Sequence, residues 1–320
     1  MVTLLKRYGT LAGFALILIF FSISLPDTFL SARNWLNITQ QVSMLTVVAA
    51  GMTIVMVMGD FDLSVGSMAS LAGIVAAILF TMGQPVWVAV SLALLVGLAG
   101  GAINGVLVSL IGILPFVATL ATLTIFSGAA FVVSGGKTLF GKDIPTSFSN
   151  FAREGVPLGT FGDATIALPN LTITATIVVL GVWVLLEQTT FGRRLYAIGG
   201  NIEAARLSGV RVLRLRIIAF SLTGLGAAIG GLMYASRVAS ANPTQGSGLM
   251  LSAIAAVFLG MTMSEQGEPR ILATLVGVLI LGVLDNGLTQ LSVDSYVRQV
   301  LVGIIILLAV AISSMSNRVR

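Results

Sequence analysis

Histidine and cysteine are both absent from the 320 residues. Their absence removes zinc sites built on His or Cys, cysteine nucleophiles, Ser-His-Asp triads, disulfides and haem ligation by either residue. It also removes any reading of redox compartment from cysteines. Charge is scarce as well. Lys plus Arg number 17 and Asp plus Glu 12, or 9 % of the chain, against roughly 25 % in an ordinary soluble domain. In their place stand 57 % hydrophobic residues and a mean hydropathy of +1.05. The polar coat of a soluble protein would be too thin for that content, so the bilayer is the natural solvent. The net charge of +5 does not call for nucleic acid, because membrane proteins keep Lys and Arg in cytoplasmic loops.

Ten runs approach the ~20 apolar residues of a spanning helix: 11–25, 38–58, 65–82, 86–110, 114–133, 171–187, 215–236, 249–263, 271–285 and 297–315. Lipid-facing backbone must satisfy its own hydrogen bonds, so each is expected to be helical. The polar–apolar alternation of a membrane barrel is missing. Lys6 and Arg7 precede the first run as in a signal peptide, but no A-x-A-like cleavage site follows, which favours a retained span. The expected fold is an all-α integral membrane protein with about ten transmembrane helices in one domain over 1–320. Placing the N-terminus in the cytoplasm puts eleven basic residues inside and six outside. Both termini are therefore expected to be cytoplasmic.

Two connections stand apart. Residues 134–170 are polar, contain three prolines and are expected outside, long enough to hold a short helix of their own. The cytoplasmic loop, about 188–214, lies in a stretch (187–216) with six of the seventeen basic residues. Glycines within the runs, as in GLAGGAING over 97–105, fit close helix packing. The runs 249–263 and 271–285 are short, as in broken helices near a transport site or in a tilted or locally thinned setting.

Several motifs fail on inspection. GGKT at 135–138 is not a phosphate-binding loop, because its first glycine would have to be residue 131, which is Phe131. MGDFD at 58–62 brings an aspartyl protease to mind, but no second carboxylate motif appears in another span. The segment 191–212, FGRRLYAIGGNIEAARLSGVRV, is more informative. Gly199 and Gly200 break the chain, Asn201 can cap a helix and Glu203 suits its first turn. Gly209 supplies a stop. The result is a two-turn helix outside the membrane. It fits either a docking knob for another protein or an interfacial helix held at anionic lipid by its arginines.

Residues 203–209 resemble the E-A-A-x-x-x-G loop of the membrane subunits of ABC importers, and 200–209, G-N-x-x-A-A-R-x-S-G, resembles the version in permeases for ribose, xylose and similar simple sugars. GDFDLSVGS (59–67) resembles the family's GG-[IV]-DLSVGS, GAINGVLV (101–108) its GAxNGLLV, and GVLDNGL (282–288) its GVLNNGL. The likeness runs in order from about residue 36 to 312. Departures are Asp60 where Gly is frequent, Asp285 where Asn is frequent, and MTMSEQGEPR (261–270) in place of a glycine-rich GGTSLxGGxGS.

The resemblance implies a non-catalytic permease of the bacterial inner membrane, paired with a second copy or a paralogue. It implies a separate ATPase carrying ATP and Mg, and a periplasmic or lipid-anchored sugar-binding protein. No cofactor or metal is expected on this chain. The ATPase-coupling residues would be Asn201, Glu203, Ala204, Ala205, Arg206 and Gly209. Intramembrane polar residues are costly and so are pathway candidates: Asp62, Ser64, Asn104, Asp285 and Asn286. Each also fits an interhelical hydrogen bond, and Asp62 fits a cap for a helix starting near Leu63. Lys137, Lys142 and Arg153 are candidates for docking a binding protein, or are simply solvated. The expected function is ATP-driven import of a simple sugar or polyol by alternating access. The rival is a secondary transporter driven by an ion gradient, which needs a buried ionisable relay.

Overall fold

The computed structural model describes residues 2–161, 164–264, 266–301, 303–304 and 307. Among them the chain is mainly helical. Helices α1 (Val2–Ser24), α2 (Pro26–Phe29) and α3 (Ala32–Met56) are followed by α4 (Val65–Thr81), α5 (Val86–Val106) and α6 (Pro115–Ser134). A five-residue π turn, Leu107–Ile111, extends α5 and ends at Gly112 with φ 82°. Pro115 sits at the first position of α6, where its missing N–H costs nothing.

The connection 134–170 is structured. It holds strand β1 (Leu139–Phe140), helix α7 (Thr146–Arg153) and a hairpin of β2 (Gly155–Phe161) and β3 (Ala164–Pro169). Then come α8 (Asn170–Trp183), α9 (Thr190–Gly200), α10 (Ile202–Leu207), α11 (Val212–Val238), β4 (Ser240–Ala241), α12 (Ser247–Met261) and α13 (Ile271–Gln290). The expected short helix in 134–170 is α7; the hairpin was not foreseen, although VPLGTF and ATIALP carry a short-period pattern.

Among the described residues six helices are long and apolar enough to cross a membrane: Ala32–Met56, Val86–Ile111, Pro115–Ser134, Asn170–Gln188, Val212–Val238 and Ile271–Gln290. Gly9–Ser24, Val65–Thr81 and Ser247–Met261 are shorter apolar helices. Nine of the ten expected runs thus fall on helices; most of 297–315 lies outside the described residues. Large apolar side chains such as Leu114, Ile125, Val132 and Ile177 are exposed. In water such surface would drive aggregation, whereas lipid accepts it.

The chain divides into two compact units, Ser43–Met250 and a second formed by Met1–Val42 with Leu251–Arg320. In the first, α5 and α11 pack through glycines. A Cβ at Gly105 would stand 2.6 Å from the Ile217 Cα, and one at Gly97 would stand 2.6 Å from the Gly224 carbonyl oxygen. A second patch of core joins Met44, Val47, Ala152, Leu171, Ala175 and Met233. Strand β1 pairs with β4 through Leu139↔Ala241 and Phe140↔Ser240. That pairing ties the 134–170 connection to the end of α11. The Ser236 hydroxyl, donating to the Phe148 carbonyl at 2.6 Å, adds a second tie. In the other unit the Phe29 ring meets Phe21 at a tilt and Trp35 edge-on. Gly287 lies against the Phe21 ring.

Candidate functional site

The segment around α10, where coupling to an ATPase is expected, is built as its residues predict. The Asn201 side-chain oxygen accepts from the Ala204 N–H at 2.9 Å, capping α10. At the other end the Gly209 N–H donates to Arg206 and the Val210 N–H to Ala205, at 3.0 and 3.1 Å. This double closure needs a residue at positive φ, and Gly209 supplies it at 82°. On a helix turning ~100° per residue, Glu203, Arg206 and Leu207 share one face and Ala205 lies opposite. The burial agrees: Ala205 is buried, while Glu203, Ala204 and Arg206 are exposed. Of the coupling candidates, Ala205 is the one that packs against its own chain. Leu207, 87 % exposed, adds an apolar side chain to that outward face which the coupling candidates did not include.

The segment grips the loop between α3 and α4 at two points. Gly199 lies so close to the Val57 carbonyl that any Cβ would overlap it. Arg216, in the second turn of α11, clamps Asp60 with its Nε and Nη2 at 2.8 and 2.7 Å. Such a two-bond fork fixes direction as well as distance.

The same loop carries a buried polar cluster. Asp62 Oδ1 accepts from the Ser64 N–H at 2.9 Å and from the Ser64 hydroxyl at 2.6 Å. Asn104 on α5 donates to both Asp62 oxygens, at 3.3 and 3.4 Å, and to the Ser64 hydroxyl at 2.8 Å. Thr122 on α6 donates to the Asn104 oxygen at 2.7 Å. Burial pushes the Asp62 carboxyl above its ordinary pKa, against the lowering effect of the Ser64 and Asn104 hydrogen bonds. Asp62 does not cap a helix as expected: the cap position of α4 is Ser64, which makes no side-chain cap bond, and Asp62 instead takes the N–H two residues on in an Asx turn ahead of the helix.

Beyond the cluster lies a cavity of about 140 Å³, lined on the α4 side by Leu63, Gly66, Ser67 and Ser70. Leu123 and Ser127 of α6 form another wall, with Pro243, Thr244, Ser247 and Met250. Its polar groups are hydroxyls and backbone. Asp62, Ser64 and Asn104 do not line it; they hold the elements that do.

The remaining candidates are elsewhere. Asp285 accepts from Gln41 and from Arg298, each at 2.7 Å, and its side chain is 38 % exposed. Asn286 accepts from Gln290 at 2.8 Å. Lys137, Lys142 and Arg153 are exposed on the 134–170 connection. In the 261–270 loop Glu265 lies outside the described residues, while the Glu268 N–H donates to the Ser264 hydroxyl.

Residues 34–310 match a family described as the permease component of a branched-chain amino acid transport system. The chain belongs to this permease family. Among its relatives is the ribose import permease protein RbsC of Bacillus subtilis (strain 168), 41 % identical over 306 residues, which cover 96 % of this chain and 92 % of the relative. RbsC of Escherichia coli (strain K12) is 40 % identical over 300 residues, covering 93 % and 91 %. The L-arabinose transport system permease protein AraH of the same strain is 36 % identical over 304 residues, covering 95 % and 89 %. No solved structure gives a significant match. The permease is thus a multi-pass, mostly helical membrane protein. Its exposed α10 and its hydroxyl-lined cavity, both within Ser43–Met250, are the features that a transport reading must use.

Proposed function

We propose that this permease is the transmembrane subunit of an ATP-driven ABC importer that brings a simple sugar or polyol into the cytoplasm by alternating access. The observation that carries the reading is α10. It is a six-residue helix, closed at both ends, that offers Glu203, Ala204, Arg206 and Leu207 outward and only Ala205 to its own chain. A loop needs no such element merely to connect two spans. A separate ATPase, holding ATP and Mg, seats this helix in a groove and moves it when nucleotide closes the ATPase pair. This chain performs no catalysis. A second copy or a paralogue completes the membrane unit, and a binding protein delivers solute from outside. The contact surface for that protein combines Lys137, Lys142 and Arg153 with the 237–248 stretch to which β1 is paired. The permease forms one functional domain of about ten spans in a bacterial inner membrane, with both termini cytoplasmic.

The solute class rests on two supports. Relatives at 34–41 % identity are named for ribose, L-arabinose and D-allose. The cavity offers serine and threonine hydroxyls and no charged side chain, which suits a neutral polyol better than a zwitterionic amino acid.

The test is uptake of radiolabelled ribose, arabinose and allose, with ATPase stimulation, in chains carrying Glu203→Lys or Gly209→Pro. Both substitutions are expected to abolish stimulated ATPase activity and uptake while membrane levels hold. Normal coupling in both would sink the proposal. An uncoupler that collapses wild-type uptake at constant ATP would favour the ion-gradient rival instead.

A further inference from the structure

The ion pair of Asp60 and Arg216 joins two regions that the chain sets 156 residues apart. Behind it lies the coupling segment. Arg216 is seven residues past Gly209, and α9 in the same segment meets the loop again where Gly199 abuts Val57. Ahead of it lies the short stretch Phe61–Ser64, then the first turns of α4. Leu63 of that stretch and Gly66, Ser67 and Ser70 of those turns line the cavity wall.

The stretch between has no slack. Asp62 and Ser64 are pinned to Asn104 on α5, and Asn104 is pinned to Thr122 on α6. These bonds tie the loop and the start of α4 to α5 and α6, so a displacement arriving at Asp60 is shared among them and is not taken up by bending of a free loop. The Asp60 side chain is 4 % exposed and that of Arg216 19 %, so water competes weakly for either group. The paired bonds of guanidinium and carboxylate resist rotation as well as stretching. A glycine at position 60 offers no such connection.

We infer that the Asp60–Arg216 pair is a strut that carries movement of the coupling segment to the cavity-lining start of α4. Asp60 and Arg216 are positioning residues: neither needs to touch the solute or the ATPase. The inference rests on the coupling role proposed for α10, and its readout is independent of the identity of the solute. Coupling of this kind requires a contiguous element with two arrangements that both ends bias. The strut makes the start of α4 that element.

The absence of cysteine from the chain provides a clean probe. Ser67→Cys places one thiol on the cavity wall. The assembled importer is purified from its native host by a tag on this chain, and the rate of thiol labelling is measured without nucleotide and after trapping with ATP and vanadate. With the strut intact the two rates should differ by about tenfold, and with Asp60→Asn or Arg216→Gln by less than about twofold. The exchanged pair, Asp60→Arg with Arg216→Asp, should restore at least part of the difference. ATPase co-purification and basal hydrolysis should stay at the level of the Ser67→Cys chain in all of them.

A labelling difference that survives in both single variants overturns the strut. So does one that never appears in the Ser67→Cys importer with its ATPase bound. Failure of both single variants to assemble would assign the pair to folding and overturn it too. If no ATPase co-purifies with the chain, the coupling role of α10 falls and the strut falls with it. If labelling behaves as expected but no sugar is carried, the strut stands and only the solute class is wrong.

Discussion

The contact of α5 with α11 can be tested by adding one methyl group. A Cβ on Gly101 would overlap the Phe220 carbonyl oxygen and stand 2.9 Å from both the Phe220 carbonyl carbon and the Ser221 Cα. Carbon atoms rest at about 3.5–4.0 Å, so the two backbones would have to part by at least roughly 0.6–1 Å at this point. They cannot do so by tilting alone. Gly97 and Gly105, one turn to either side, are themselves in tight contact with Gly224 and Ile217. Overpacking of this kind costs about 1–3 kcal/mol, while alanine returns about 0.5–1 kcal/mol of helix propensity. Gly101→Ala is therefore expected to destabilise by about 1–2 kcal/mol and to lower the melting midpoint by roughly 1.5–3 °C. Gly128 in α6 is the control, because a Cβ there meets nothing within 4 Å. Gly128→Ala keeps the propensity gain and should melt at or slightly above the wild type. The assay is thermal unfolding in one detergent, followed by the loss of the monodisperse peak on gel filtration. Equal midpoints for the two variants would refute the argument that α5 and α11 are held by glycine contact.

Three further substitutions have defined outcomes. Asn201→Ala removes the side-chain cap of α10 and should cost that helix about 1 kcal/mol; faster amide exchange over 202–207, with the spans unchanged, would register it. Asn104→Leu strips interhelical donors from Asp62 and Ser64 and sets an apolar group beside a buried carboxylate, at about 1–3 kcal/mol; the melting midpoint should fall, and an unchanged value would mean that the cluster contributes nothing. Asp285→Asn breaks the ion pair with Arg298 at a partly exposed site, worth under about 1 kcal/mol, and should leave the melt almost unmoved.

Much of this fold was legible because lipid leaves few options. Long apolar runs must be helices, and the helices fall where the runs are. The ends of α10 were legible for a local reason: Asn201 and Gly209 act on backbone groups two to four residues away. The face that α10 turns inward follows from helical periodicity, yet reading Ala204 and Ala205 as a pair concealed it. What the sequence did not disclose depends on distant partners. No local pattern says that Asp60 meets Arg216, or that Asp62 and Asn104, 42 residues apart, share a hydrogen bond. The β2–β3 hairpin was obscured by prolines and glycines that read as loop, and Leu207 by its place at the end of a short helix, where an apolar residue is easily assigned to the chain's own packing.

The buried cluster also decides which polar groups are available to a solute. Asn104 is fully buried; its amide donates to Asp62 and Ser64 and its oxygen accepts from Thr122. A sugar hydroxyl could reach these groups only if α5 parted from α6 and from the start of α4, and the new hydrogen bonds would replace ones already made. Exchange of that kind yields little net free energy. The hydroxyls on the cavity wall, those of Ser67, Ser127, Thr244 and Ser247, are reached without parting any helices. A transporter must hold its solute weakly enough to release it, and scattered neutral hydroxyls do that better than a desolvated carboxylate. On the proposed transport reading, Asp62 and Asn104 would act indirectly, by keeping the start of α4 registered on α5 and α6 while the cavity hydroxyls meet the solute.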